Sequence, residues 1–287
     1  MNPYFSIIIP CLNEELFLPK LLNNLNSQTF TDFETIVVDG NSDDKTAKVT
    51  TEFRAKYPLY LYTTTTRNVS FQRNLGAKKA NGKIFIFFDA DTQIPKNYLG
   101  KIAKAFETKH PHFLTTYMRV SAKTPLEKMY PFFINLIIET GKATKLPFSF
   151  GAMQAVKRGA FFDIGGYDTK TKFSEDTQLF QKLYNFNYKF LLLKRPCYVF
   201  CLRRFRAEGT LKAMIQYFQL NFNILLKGYH VPPKVKYQMG GHVYSQNEVR
   251  QNEYTKNFKP IFTKLSKKIK QSNQDFQDII DKIFSSK

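Results

Sequence analysis

The chain has 287 residues, enough for one large domain or two small ones, and a 43% apolar content that can fill a core. Forty-three Lys and Arg against twenty-three Asp and Glu leave a net charge of +20, which predicts attraction to phosphates or anionic lipid. Three cysteines without paired spacing and only four histidines argue against a disulfide framework, a zinc site and a His-rich metal centre.

The first predicted strand is Ser6-Ile7-Ile8-Ile9, which runs into Pro10-Cys11-Leu12-Asn13-Glu14-Glu15. Asn13 or Glu14 suits a helix start, and Leu16, Leu18, Leu21, Leu22 and Leu25 follow at near-helical spacing. Thr35-Ile36-Val37-Val38 is a second strand, ending on Asp39-Gly40-Asn41-Ser42-Asp43-Asp44 before a helix expected to reach about Lys56. A third apolar run, Phe85-Ile86-Phe87-Phe88, stops abruptly on Asp89-Ala90-Asp91-Thr92-Gln93. Two Asp one residue apart, with an amide two further on, are hard oxygen ligands suited to Mg2+ or Mn2+ beside phosphates. Taken alone, Asp-x-Asp is more often the mark of a solvated turn.

Strand, turn and helix recurring before residue 110 predict a parallel α/β sheet, with the turns on one edge. That topology brings Asn13, Asp39 and Asp89 together, at the carboxyl ends of strands where open α/β sheets bind ligands. Further along, residues 122–150 are too apolar for a loop and read as a core helix or a membrane-dipping element. Ser174 or Glu175 suits a helix start, with Leu179 and Leu183 on its buried face. Cys197 and Cys201, in a strand-like apolar stretch, are expected to be core thiols.

Residues 228–255 read as a linker, and 256–287 as a basic amphipathic helical tail with Phe258, Ile261, Phe262, Leu265 and Ile269 between lysines. Such a tail either lies peripherally on an anionic membrane or covers an apolar strip of its own domain. The first residues do not read as a signal peptide, and the longest apolar stretch, Met129 to Ile138, is about half a membrane span. The expected location is cytoplasmic, with peripheral contact on the inner face of the cell membrane if the tail engages lipid. The lysines are scattered and carry no nucleic-acid-binding signature, so nucleic acid is not an expected partner.

An ordered series of motifs resembles the family 2 glycosyltransferases, inverting nucleotide-sugar-dependent enzymes of the GT-A fold. It runs from Ile9-Pro10-Cys11-Leu12-Asn13-Glu14 through Val37-Val38-Asp39-Gly40 and Phe71-Gln72-Arg73-Asn74-Leu75-Gly76 to Phe88-Asp89-Ala90-Asp91. It then continues with Phe150-Gly151-Ala152-Met153, Gly165-Gly166-Tyr167-Asp168 and Ser174-Glu175-Asp176-Thr177. The resemblance implies a mostly parallel twisted sheet flanked by helices. It implies a catalytic domain over 1–227, with a nucleotide half to about 110 and an acceptor half from 111.

By the same resemblance, Pro10, Asn13, Glu14, Asp39 and Ser42 hold the base and ribose, while Arg73 and Asn74, opening a helix, reach the nucleotide or its diphosphate. Asp39 could accept the imide N–H of a uracil; its bland alternative is an Asp-Gly turn. Arg67 is a weaker candidate. Asp91 is implied as the ligand of a Mn2+ or Mg2+ bridging the phosphates. Asp89 and Ala90 are implied to lie against the donor, with Asp89 at the metal's edge. Gln93 as a further ligand resembles the dolichyl-phosphate mannose synthases.

Asp176 is implied as the catalytic base, with Glu175 and Gly151 on the acceptor. A first-turn carboxylate is otherwise an ordinary dipole-complementing residue. The chain has no Trp and so lacks the Gln-x-x-Arg-Trp motif of processive members. Its Leu202-Arg203-Arg204-Phe205-Arg206 run is expected to supply an arginine over the diphosphate, assigned to Arg204. A UDP-sugar is the expected donor, with GDP-mannose second, and the acceptor a glycan or polyprenyl-linked molecule.

Two other classes fit less of the chain. A nucleotide-binding oxidoreductase would need Gly-x-Gly-x-x-Gly where Pro10-Cys11-Leu12-Asn13 stands. A non-catalytic membrane- or nucleic-acid-binding module would leave the acidic strand ends without a role.

Overall fold

A computed structural model of the chain describes residues 2–210 apart from 55, 144, 145, 150, 151 and 172, together with 213 and 216. The expected linker and amphipathic tail lie outside the described residues, as does Gly151.

Seven strands form one sheet: β1 (Phe5–Cys11), β2 (Phe33–Asp39), β3 (Leu59–Thr63), β4 (Ile84–Phe88), β5 (Phe113–Val120), β6 (Met153–Lys157) and β7 (Phe190–Phe200). Their order across the sheet is β3-β2-β1-β4-β6-β5-β7. β1 to β4 are mutually parallel, β6 runs antiparallel to both β4 and β5, and β5 pairs parallel with β7. The sheet is therefore mostly parallel, as expected, with one reversed strand inserted. Strand order reverses direction between β1 and β4, the switch point where the loops leaving the two strands splay apart and open a crevice.

Burial on both faces explains why β1, β2 and β4 are continuous apolar runs. Phe5, Ile7 and Ile9 pack on one side with α1 (Leu18–Asn26) and α4 (Tyr98–Lys109). Ile8, Phe85 and Phe87 pack on the other with α3 (Val69–Lys79), α6 (Arg158–Asp163) and α7 (Glu175–Asn185). The result is a helix–sheet–helix sandwich. The remaining helices are α2 (Thr46–Glu52), α5 (Pro125–Ala143) and α8 (Arg203–Glu208).

α5 accounts for the apolar segment after residue 122. Tyr130, Ile134 and Ile138 are buried, Phe132 and Phe133 exposed, and Asn135 makes paired hydrogen bonds to the backbone of Met118 at the β5 bulge. It thus has the buried face of a core helix. Among the described residues no helix is long and apolar enough to cross a membrane.

Two boundaries differ from expectation. α1 starts at Leu18 rather than at Asn13 or Glu14, and Leu16 is exposed, because residues 13–15 are engaged by the turn that follows β2. α2 ends at Glu52, short of Lys56.

Candidate active site

The turns leaving β1 and β2 are laced together. The Asn13 amide donates to Ser42 Oγ at 2.8 Å and Asn13 Oδ1 accepts from the Asp43 amide at 2.8 Å. The Glu14 amide donates to Thr46 Oγ1, the Glu15 amide to Asp44, and the Lys45 amide to Glu15. Asn13 and Asn41 take left-handed φ values of 56° and 59°, a conformation Asn tolerates better than most residues. Asp39, nearly fully buried, accepts from the Ser42 amide and hydroxyl, the latter at 2.5 Å. Gln72 reaches from α3 to the carbonyls of Cys11 and Val38, tying the two strand ends at 2.8 and 2.9 Å. Arg67 closes the rim on Asn41 and Asp43. Pro10 is buried in β1 beyond the last β1–β4 pair, where its missing N–H costs no bond to β4.

Arg73 lies in the second turn of α3, not at its start, and is 1% exposed. One guanidinium nitrogen donates to Asp89 at 2.8 Å, another to Glu175 at 2.7 Å, and the Tyr167 ring lies 5.1 Å from the guanidinium carbon. Burial alone would lower its pKa, but electrostatic interaction with Tyr167 and with the carboxylates of Asp89, Glu175 and Asp176 raises it overall. Arg73 is thus a buried cation joining the β4 end to the start of α7.

Asn74 differs from expectation as well. Its amide accepts from the Tyr167 backbone N–H at 3.0 Å and donates to the Tyr167 carbonyl at 2.8 Å, so it holds the loop carrying the tyrosine. The Gly165-Gly166 pair makes that approach possible. Gly166 has φ 70°, and a Cβ there would sit 2.7 Å from Asn74 Oδ1.

The second carboxylate of the Asp-Ala-Asp turn has a different partner. Arg203, the first residue of α8, forks onto Glu14 at 2.7 and 2.5 Å, and its Nε meets Asp91 at 3.1 Å. Its guanidinium carbon lies 4.3 Å from the ring of Phe17. Arg204, the residue expected over the diphosphate, instead bonds Glu208 one helical turn along, because α8 turns successive side chains about 100° apart. Arg206 pairs with buried Glu127.

Burial lifts Glu14 to about 7 against the pull of Arg203, and Asp91 is raised by burial more than Arg203 lowers it. Cys201 hydrogen-bonds Asp91, and its thiol is pushed up to about 12 by burial and that carboxylate. It is therefore a partly buried thiol against the acidic turn rather than a core thiol. Gln93 is exposed, and its backbone bridges to Val199, pinning the acidic turn to β7. Ala90 is buried in the turn itself.

The donor set fits a divalent cation at Asp91. Glu14 and Asp91 already converge on one guanidinium, a cation in the same place. Among the described residues no three His, Cys, Asp or Glu form a complete cage. A Mg2+-type ion needs no such cage, since one or two carboxylates suffice when substrate phosphates and water complete its shell.

On the acceptor side, Glu175 and Asp176 occupy the first turn of α7 after Ser174, whose left-handed φ of 55° reverses the chain into the helix. Asp176 is 6% exposed, and neighbouring Thr177 donates to the Ser149 carbonyl. The roles of Tyr167, Cys201 and Arg203 in this network had no separate sequence signal. Tyr167 and Arg203 sit within quoted motifs, but only packing assigns their contacts.

Fold and acidic crevice together define a glycosyltransferase of the GT-A type. The model for glycosyl transferase family 2 matches residues 6–165, and the chain belongs to that family. Poly(ribitol-phosphate) beta-N-acetylglucosaminyltransferase TarS of Staphylococcus aureus is 34% identical over 119 residues, 40% of this chain and 21% of that one. A Methanococcus voltae dolichyl N-acetyl-alpha-D-glucosaminyl phosphate 3-beta-D-2,3-diacetamido-2,3-dideoxy-beta-D-glucuronosyltransferase is 30% identical over 182 residues, 58% of this chain and 53% of its own. The crystal structure of TarS 1-349 with UDP-GlcNAc superposes with a TM-score of 0.57 at 26% identity, covering 70% of this chain and 58% of that one. A Pyrobaculum calidifontis mannosyltransferase in complex with GDP-Man and Mn2+ shares the fold, with a TM-score of 0.62 at 19% identity over 78% of this chain and 65% of its own. The chain spans between a fifth and about half of the length of these two curated relatives.

Proposed function

We propose that the protein transfers a sugar from a nucleoside diphosphate to an acceptor hydroxyl with inversion at the anomeric carbon. The observation that supports this is Arg73, which joins Asp89 at the end of β4 to Glu175 in the first turn of α7, so the residues proposed for donor and acceptor stand next to one another. Asp39 and the interlocked turns would bind base and ribose, and a uridine nucleotide is favoured by its frequency in the family and by the UDP-GlcNAc bound to TarS. GDP-mannose is the second candidate.

Asp176 would take the proton from the acceptor hydroxyl as that oxygen attacks from the face opposite the phosphate. Glu175, oriented by Arg73, would hold acceptor hydroxyls. Asp91, with Asp89 at its edge and Gln93 nearby, would hold Mn2+ or Mg2+. When bound, the cation neutralises charge growing on the departing diphosphate. The acceptor would be a cell-envelope glycan or a polyprenyl-linked molecule, reached by a protein peripheral to an anionic membrane. Residues 1–110 would serve the nucleotide and 111–227 the acceptor.

A product assay over a panel of nucleotide sugars, with Mn2+ or excess EDTA, tests this. One nucleotide sugar should be consumed only with metal, and Asp91→Asn should abolish turnover while the melting temperature stays within a few degrees. Full turnover in EDTA would remove the metal from the mechanism, and a response to NAD(P) alone would replace the transferase reading.

A further inference from the structure

Arg203 occupies an unusual place for a residue of the diphosphate-facing run. Its three donor contacts all go to carboxylates: two to Glu14 and one to Asp91. Both carboxylates are largely withdrawn from water, as is the guanidinium itself, and Phe17 covers its face. Two buried carboxylates cannot stay charged at close range without a counter-ion, and here that counter-ion belongs to the chain. A divalent cation needs the same carboxylate. Guanidinium and metal at one site repel each other, so they cannot both hold Asp91 at full strength.

We propose that Arg203 is an internal stand-in for the divalent cation, exchanged for it when the nucleotide diphosphate binds. This rests on the transferase reading and adds an order of events to it. The metal alone must compete with a guanidinium already paired with both carboxylates, so free cation binds weakly. The diphosphate brings about two negative charges, which complete the metal's shell and offer the displaced guanidinium a new partner. Bidentate Arg–phosphate geometry makes that transfer favourable. Metal and nucleotide therefore enter together, and Arg203 acts as a positioning residue whose release from Asp91 depends on the donor. No bond is made or broken covalently in this step; one cation replaces another on the carboxylate.

The test measures Mn2+ binding to the full chain by the electron-paramagnetic-resonance signal of free Mn2+, with and without UDP, so no donor sugar need be known. The wild type should bind Mn2+ weakly alone and more tightly with UDP. Arg203→Met should bind nucleotide-free Mn2+ about tenfold more tightly than the wild type, because the competing cation is gone. Arg204→Met removes the same formal charge next door, from a residue paired with Glu208, and should change nucleotide-free affinity little.

If Arg203→Met fails to fold, Arg203→Lys serves. It keeps the charge but cannot fork across both carboxylates, and it should also bind Mn2+ more tightly than the wild type. Equal Mn2+ affinity in the wild type and the Arg203 variant that folds overturns the proposal. So does an equal gain in Arg204→Met, which would reduce the effect to bulk charge. A failed transfer assay alongside a tenfold gain in Arg203→Met would instead refute the transferase reading and leave the exchange standing.

Discussion

Replacing Arg73 with Met should destabilise the protein by about 3–4 kcal/mol, near the lower half of the usual cost of removing one partner from a buried ion pair. The substitution keeps the side chain's approximate volume but removes two charge-assisted hydrogen bonds, at 2.8 and 2.7 Å, each worth about 1.5–3 kcal/mol. It also removes a desolvated cation–π contact with Tyr167, worth up to about 2 kcal/mol. Partial solvent access returns some of the loss: the Asp89 side chain is 34% exposed and Glu175 is 17% exposed, so water can reach the abandoned carboxylates. In a domain of this size about 3–4 kcal/mol corresponds to a fall in Tm of roughly 6–16 °C, measurable by circular dichroism on a reversible melt. Adding Asp89→Asn and Glu175→Gln to Arg73→Met removes the uncompensated charges and should restore more than half of the lost stability. An Arg73→Met protein melting within 2 °C of the wild type, or a triple variant no better than the single one, would refute the bridging role.

Asp176→Asn keeps shape but not basicity, so turnover should fall by about 10²–10⁴-fold while UDP affinity, read by calorimetry, stays unchanged. Gly166→Ala places a methyl against Asn74 in a left-handed conformation and should cost about 2–3 kcal/mol in a urea melt, loosening the loop that carries Tyr167. Only the thiolate of Cys201 reacts with disulfide reagents, and its thiol is pushed up to about 12. In a Cys11→Ala, Cys197→Ser background its modification at pH 8 should therefore be about 10³-fold slower than in the urea-unfolded chain, and should keep rising about tenfold per pH unit after the unfolded chain's rate has levelled off above about pH 9.

What the sequence made legible followed burial. β1, β2 and β4 are sandwiched between helices, so they are written as unbroken apolar runs, and the carboxylates that end them stand out. β5 and β6 include Thr115, Thr116 and Gln154, which are buried but hydrogen-bonded to other groups inside the protein. A strand that satisfies its polar groups internally does not look like one in composition. Likewise, adjacent arginines 203 and 204 are equivalent as letters; the rotation of α8 alone aims one at the acidic turn. Arg73 and Asn74 sat in a motif whose order was readable, yet their partners, Glu175 and Tyr167, are roughly a hundred residues away.

The interlocking of the β1–α1 and β2–α2 turns makes them a single structural unit. At least five hydrogen bonds pass between residues 13–15 and 42–46, and each of these pairs a backbone amide on one side with a specific side-chain oxygen on the other. Grafting either loop alone from a related enzyme would strand amides from its neighbour, whereas moving both keeps every pairing. Any exchange of these turns is therefore a paired-loop exchange, with residues 11–15 and 40–46 transplanted as one cassette.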